Sequence, residues 1–158
     1  MIRSIKYSNL DRQFLALKSI GANLIKVDLA NVTVKKPWGK EVWLELWQGT
    51  RGHGYCYKRL YINKGTKTSY QYHNRKIETN YIIRGRAEVW LEDHNGKIVK
   101  KIMGAGDSFT VVPKRKHRVI AKTNVIIQEV STPDVDDVIR IEDDTGRGHG
   151  RIQSEHLQ

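Results

Sequence analysis

The chain has 158 residues, which suits one domain with a modest extension and is too short for two full domains. With 39% hydrophobic residues, four Trp, seven Tyr and two Phe it can bury a core, which excludes wholesale disorder. The net charge of +11 is uneven, with 25 basic and 10 acidic side chains in residues 1–133 against 3 and 7 in residues 134–158; this basic body admits an anionic partner, but no zinc-finger, homeodomain or RNP pattern accompanies it, so nucleic acid is not the expected one.

Residues 1–35 read as an accessory N-terminal extension. Asp11 is placed to cap a short helix through Ile20, with Phe14, Leu15, Leu17 and Ile20 as its apolar stripe and Gly21 as its stop. From Pro37 onward the sequence turns to short runs rich in Val, Ile, Tyr and Trp, each bounded by Gly, Asn, Asp or Pro. Strands are expected at 41–47, 55–62, 66–73, 77–84, 87–92, 98–102, 108–112, 117–121 and 125–130, with turns at Asn63-Lys64-Gly65, Arg84-Gly85, Asn95-Gly96 and Gly104-Ala105-Gly106. Nine closely spaced strands with no helix between them predict an all-β fold, an antiparallel sandwich or barrel. The acidic stretch 134–147 follows, and Gly148 and Gly150 predict a flexible tail over 148–158.

No uncharged apolar run approaches the ~18 residues of a membrane span, and the first ten residues lack a signal-peptide core, so no membrane partner and a cytoplasmic location are expected. The single Cys56 has no partner for an internal disulfide.

The most informative stretch is Gly65-x5-Gln71-x-His73-x4-Glu78-x6-Gly85. Gln71 and His73 are two apart and share a face on a strand, and a hairpin through Asn74-Arg75-Lys76 brings Glu78 beside His73. His117, beyond Pro113, supplies a second imidazole if the strands close into one barrel. Two imidazoles, a carboxylate and an amide oxygen suit one divalent first-row ion (Zn, Mn, Fe, Co or Ni), with positions left for water or substrate oxygens. Lys67 lies four residues before Gln71 on the same strand face, a candidate for phosphate binding or proton transfer. Lys114, Arg115 and Lys116 crowd the loop before His117 as candidates for binding an anionic substrate.

The first of these stretches resembles the first cupin motif, and Gly106 through Pro113 to His117 resembles the second. More narrowly, Lys36-Pro37-Trp38-Gly39, Ser69-Tyr70-Gln71-Tyr72-His73 and the tail from Asp136 to Arg147, with its Arg140-x-Glu142-Asp143-x-x-Gly146-Arg147, resemble the cupin domain of type II mannose-6-phosphate isomerases. The resemblance spans 36–147 and implies a double-stranded β-helix, or jelly roll, holding a metal on Gln71, His73, Glu78 and His117. It also implies an aldose-ketose isomerase working through a cis-enediol, Arg140 as a cation near the reacting oxygens, a phosphorylated sugar or sugar nucleotide as partner, and a homodimer. Asn74 and Lys76 stand where the family tends to write His and Arg, and Arg115 stands where Gly is typical. Two rival readings remain on the same fold: a non-catalytic metal cupin that binds a sugar or supports a partner enzyme, and a metal-independent epimerase using a His with a carboxylate as base.

Overall fold

The computed structural model describes residues 32–48 and 53–156. Eleven strands are present there: β1 (Val32–Lys36), β2 (Gly39–Gln48), β3 (Gly54–Ile62), β4 (Tyr70–Tyr72), β5 (Glu78–Arg84), β6 (Arg86–Glu92), β7 (Ile98–Gly104), β8 (Ser108–Val111), β9 (His117–Ala121), β10 (Val125–Ser131) and β11 (Ile139–Glu142). They form a six-stranded sheet, β1-β2-β3-β10-β5-β8, facing a five-stranded one, β11-β4-β9-β6-β7. Every strand pairing is antiparallel, and the fold is the expected all-β jelly roll.

Strand formation follows from period-two alternation of β-branched and aromatic residues with polar ones. In β10, Val125, Ile127, Glu129 and Ser131 are buried while Ile126, Gln128 and Val130 face out. Inward side chains of both sheets, among them Leu60, Ile62, Ile82, Val89, Phe109 and Ile127, form the main core, and Val34, Trp43 and Cys56 form a second, smaller cluster. The turn Pro37-Trp38 lets β1 fold back on β2, and Gly39 is required at its end. Its φ is +146°, and a Cβ there would sit 2.0 Å from the Tyr61 carbonyl oxygen. Gly85, at φ +90°, is needed in the same way between β5 and β6, where a Cβ would meet the Asn124 carbonyl at 2.2 Å.

The structure departs from the sequence expectation in four places. The strand expected over 66–73 shrinks to Tyr70–Tyr72, because Thr66 and Thr68 reach β9 through an isolated bridge at Lys67 and a Thr68 side chain that accepts the Val119 N–H. Residues 32–35, assigned to the extension, pair with β2 and belong to the barrel. The acidic stretch contains a strand, β11, laid against β4. The tail expected to be flexible packs back onto the barrel as far as His156: Glu155, in a short 3₁₀ turn (Gln153–Glu155), accepts from Lys36 at 2.7 Å and Arg147 at 3.1 Å, and His156 stands edge-on to Trp43. The helix expected over 11–20 lies outside the described residues. No helix among the described residues is long and apolar enough to cross a membrane.

Candidate metal centre

Strand register assembles the site. Gln71 on β4 is paired with His117 at the start of β9 and, on its other side, with Arg140 on β11, so the three lie in one row across the five-stranded sheet. Glu78 opens β5 on the opposite sheet and points inward between Val111 and Ser131. His73 leaves β4 and turns in toward Glu78. Its Nε2 lies 3.4 Å from Glu78 Oε2, and His117 Nε2 lies 3.5 Å from Glu78 Oε1. One ligand atom from each of these three residues falls within 4.8 Å of the others. All three are buried, at 1% (His73), 6% (Glu78) and 4% (His117) exposure.

The tautomers are set from behind. His73 Nδ1 meets the Asp137 carbonyl, and His117 Nδ1 meets the Arg115 carbonyl at 3.2 Å. A carbonyl only accepts, so each Nδ1 carries a hydrogen, and in the neutral ring each Nε2 then presents its lone pair to the site. His73 Nε2 is buried without a hydrogen-bond partner. Two imidazole lone pairs and a carboxylate directed at one point repel one another unless a cation lies between them, so the donor set fits a divalent metal ion. Burial, against the pull of Glu78, holds His117 below the usual imidazole value and keeps its lone pair available at neutral pH. Gln71 lies beside them with its amide Nε2 3.4 Å from His117 Nε2 and its Oε1 accepting from Ser69 at 2.5 Å; half a turn of the amide brings the oxygen to the site.

Next to the triad lies a buried charge cluster that residue spacing had not singled out. Lys76 donates to Glu78 Oε2 at 2.5 Å and to Glu129 Oε1 at 2.7 Å. Asn80 donates to Glu78 Oε1 at 3.1 Å. Lys58 lies 3.8 Å from Glu129 and 3.5 Å from Glu41, which also accepts from the Trp43 indole at 3.0 Å. Burial on its own would lower the Lys76 ammonium, but Glu129 and Glu78 outweigh it and hold it well above the usual lysine range. Burial would likewise raise the Glu78 carboxyl, yet the Lys76 ammonium beside it keeps it well below the usual carboxylate range. The clue in the sequence is phase: Cys56-x-Lys58-x-Leu60-x-Ile62 and Val125-x-Ile127-x-Glu129 set a charge in step with inward apolar residues.

The other sequence candidates separate. Arg140 lines the cavity between the sheets. Its Nη1 donates to the carbonyls of Gly148 and Gly150, and its Nε is buried without a partner. Lys67 instead pairs with Asp144 at 3.0 Å and does not line the cavity. Lys114, Arg115 and Lys116 are also outside it, engaged by Asn74, the Asp93 carbonyl and Glu92 respectively.

Residues 59–129 match the family described as Cupin domain (Cupin_2). A comparison with curated protein sequences gives no match. Among solved structures, the chain is similar to an RmlC-like cupin from Shewanella frigidimarina NCIMB 400 (TM-score 0.52, 23% identity, covering 68% of this chain and 88% of that one). It is also similar to KdgF from Halomonas sp. (TM-score 0.53, 18% identity, 70% and 94% covered) and to oxalate decarboxylase from Bacillus subtilis (TM-score 0.59, 15% identity, 70% and 30% covered). At these identities the likeness is one of fold. The matched segment 59–129 and the jelly-roll fold are what this chain shares with cupin domains.

Proposed function

We propose that this protein is a divalent-metal cupin that interconverts an aldose and a ketose sugar phosphate, as mannose-6-phosphate isomerases do. The observation that carries the metal part is the unpartnered Nε2 of His73, directed with His117 Nε2 at the two oxygens of Glu78. The isomerase part is supported by the motif resemblance and by a cavity whose wall carries Arg140 one strand from Gln71.

His73, Glu78 and His117, with Gln71 as a fourth donor, are the residues that would hold the ion. A bound divalent ion supplies Lewis-acid polarisation of the sugar carbonyl and stabilises the enediolate charge. Arg140 lines the cavity with one N–H unpartnered and is the cation that would donate to a substrate oxygen as charge develops. Lys76 remains an ammonium clamped between Glu78 and Glu129, so its part is to fix Glu78 and to hold charge, not to accept a proton. Lys67, engaged by Asp144 outside the cavity, has no part in this reading. A homodimer in the cytoplasm completes the proposal.

The test is metal content by elemental analysis of untagged protein, with a mannose-6-phosphate to fructose-6-phosphate assay on the same sample, with and without chelator. One equivalent of metal and chelator-sensitive turnover is the expected outcome, and no metal after reconstitution overturns the ligand set. One observation favours a second reading, a non-catalytic metal cupin that binds a sugar: Gly150, Arg151, Ile152 and His156 of the tail line the cavity, and the tail is tied down there by Glu155 to Lys36 and Arg147. Metal without turnover on any sugar phosphate supports that reading.

A further inference from the structure

We propose that Lys58, on the six-stranded sheet, binds the anionic group of the substrate and that this group is a phosphate monoester dianion. The inference deepens the sugar-phosphate reading above and rests on it.

Two of the three cavity lysines, Lys58 and Lys76, are differently satisfied. Lys76 has two close carboxylate oxygens, at 2.5 and 2.7 Å. Lys58 is as deeply placed, with 6% of its side chain exposed, and it also lines the cavity. Yet the carboxylate oxygens nearest its Nζ, from Glu41 and Glu129, lie 3.5 and 3.8 Å away, beyond good hydrogen-bonding distance. Its Nζ rests instead 4.7 Å from the centre of the Trp43 ring. A buried ammonium with three donors and no short acceptor is costly unless a ligand supplies the oxygens. The other wall repeats the pattern, since Arg140 Nε has no partner and no carboxylate of the described residues forms an ion pair with Arg140.

Charge points the same way. Arg147 is neutralised by Asp143, Lys36 by Glu155 and Arg151 by Asp136. That leaves Lys58, Lys76 and Arg140 on the cavity wall against Glu41, Glu78 and Glu129, an even balance. A divalent ion on the triad brings an excess of two positive charges. A neutral sugar leaves that excess uncompensated in a buried space, whereas a phosphate dianion removes it. The lysines and arginine of the 114–116 loop, outside the cavity, do not contribute.

The experiment is calorimetric titration of inorganic phosphate into the metal-loaded full chain, comparing wild type with Lys58→Met, which keeps the side-chain volume, and with Lys101→Met as an exposed control. Binding weakened at least tenfold in Lys58→Met, at unchanged metal content and with the control unaffected, is the result expected. Phosphate binding equal in wild type and Lys58→Met, or none to wild type, overturns the assignment. Elemental analysis keeps the two claims apart: absence of metal in wild type ends the isomerase reading, while the wild-type and Lys58→Met titrations still decide Lys58. Should Lys58→Met fail to fold, wild-type crystals soaked in phosphate decide the matter. Density within hydrogen-bond distance of Lys58 Nζ supports the proposal, and density found only elsewhere overturns it.

Discussion

Strands β3, β5 and β10 each pass from an apolar stretch of inward residues to a charged one. At the apolar end Leu60, Ile62, Ile82 and Ile127 interlock with Val89 and Met103 from the facing sheet. At the other, a few residues along the same strands, Lys58, Glu78, Asn80 and Glu129 occupy the same inward phase. The strands can form either way, because the backbone ladder does not depend on which side chain points in. The energetics differ. Each large apolar side chain buried at the first end contributes about 1.5–3 kcal/mol. At the second, every charge must first be stripped of water, and pairing does little more than offset that cost. Stability therefore does not account for the charged end, and a site does.

The two ends are separated most sharply by the metal ligands. His73→Ala and His117→Ala each remove one imidazole donor and leave the residues of the apolar cluster in place, so both variants are expected to fold and to lose the ion entirely. Metal content and circular dichroism on the same samples check this, and full metal occupancy in both variants breaks the site assignment. Lys76→Met goes next. It leaves Glu78 and Glu129 buried without their shared cation, a loss of about 3–5 kcal/mol in metal-free protein by urea denaturation. Because a divalent ion compensates Glu78, adding metal should restore part of that loss. Ile127→Ala, at the other end, costs about 2–5 kcal/mol through lost burial and the cavity it leaves, and metal should not selectively rescue it. Equal rescue of both variants would erase the distinction between the ends.

Acid probes the charged end without mutation. Burial would raise the Glu41 carboxyl, but Lys58, Lys36 and Lys76 hold it at about 2, under the ordinary 4.5. A group lowered on folding contributes fully above its unfolded value and loses that contribution as pH falls through the folded one. The expected loss is about 3 kcal/mol between pH 4.5 and 2. Glu41→Gln should flatten that limb of the stability profile; an unchanged limb would mean that the lysines do not stabilise the carboxylate.

What could be read from the sequence follows the same division. Alternation made the strands legible, and the two-residue step from Gln71 to His73, the short connection to Glu78 and the second imidazole at 117 made the donors legible, because those relations are local. The charge cluster was not, because its pairs join residues such as Lys76 and Glu129, 53 apart, and a lysine on a strand taken alone reads as exposed. Lys67 illustrates the reverse error. On an ideal strand it shares a face with Gln71, but the strand shortens to Tyr70–Tyr72 and Lys67 turns to Asp144. Arg140 had Glu142 and Asp144 as obvious partners; Arg118 and Lys67 take them, which leaves its guanidinium to the cavity. The tail reads as loose because its anchors, such as Glu155 on Lys36, are 119 residues away.

The finest test concerns how the tail positions a metal ligand. Asp137 precedes β11 and uses both of its acceptor groups on the loop between His73 and Glu78. Its carboxylate takes the backbone N–H groups of Asn74, Arg75 and Lys76 at 3.0, 2.6 and 3.0 Å, while its carbonyl takes His73 Nδ1. Asp137→Ala deletes the first set and spares the second, so His73 keeps its tautomer but loses the brace that holds its loop. The N–H groups of Asn74 and Arg75 lie at the surface and regain water while that of buried Lys76 is left wanting, which sets the stability loss at about 1–3 kcal/mol. The larger consequence is positional. With the loop free to shift, Nε2 no longer converges reliably with His117 on Glu78, and metal affinity should fall about 10-fold or more by chelator competition. Asp137→Asn, which keeps one acceptor oxygen toward the same N–H groups, should fall between wild type and Asp137→Ala. An affinity untouched by Asp137→Ala would mean that the five-stranded sheet alone aims His73, and that the tail closes the barrel without shaping the site.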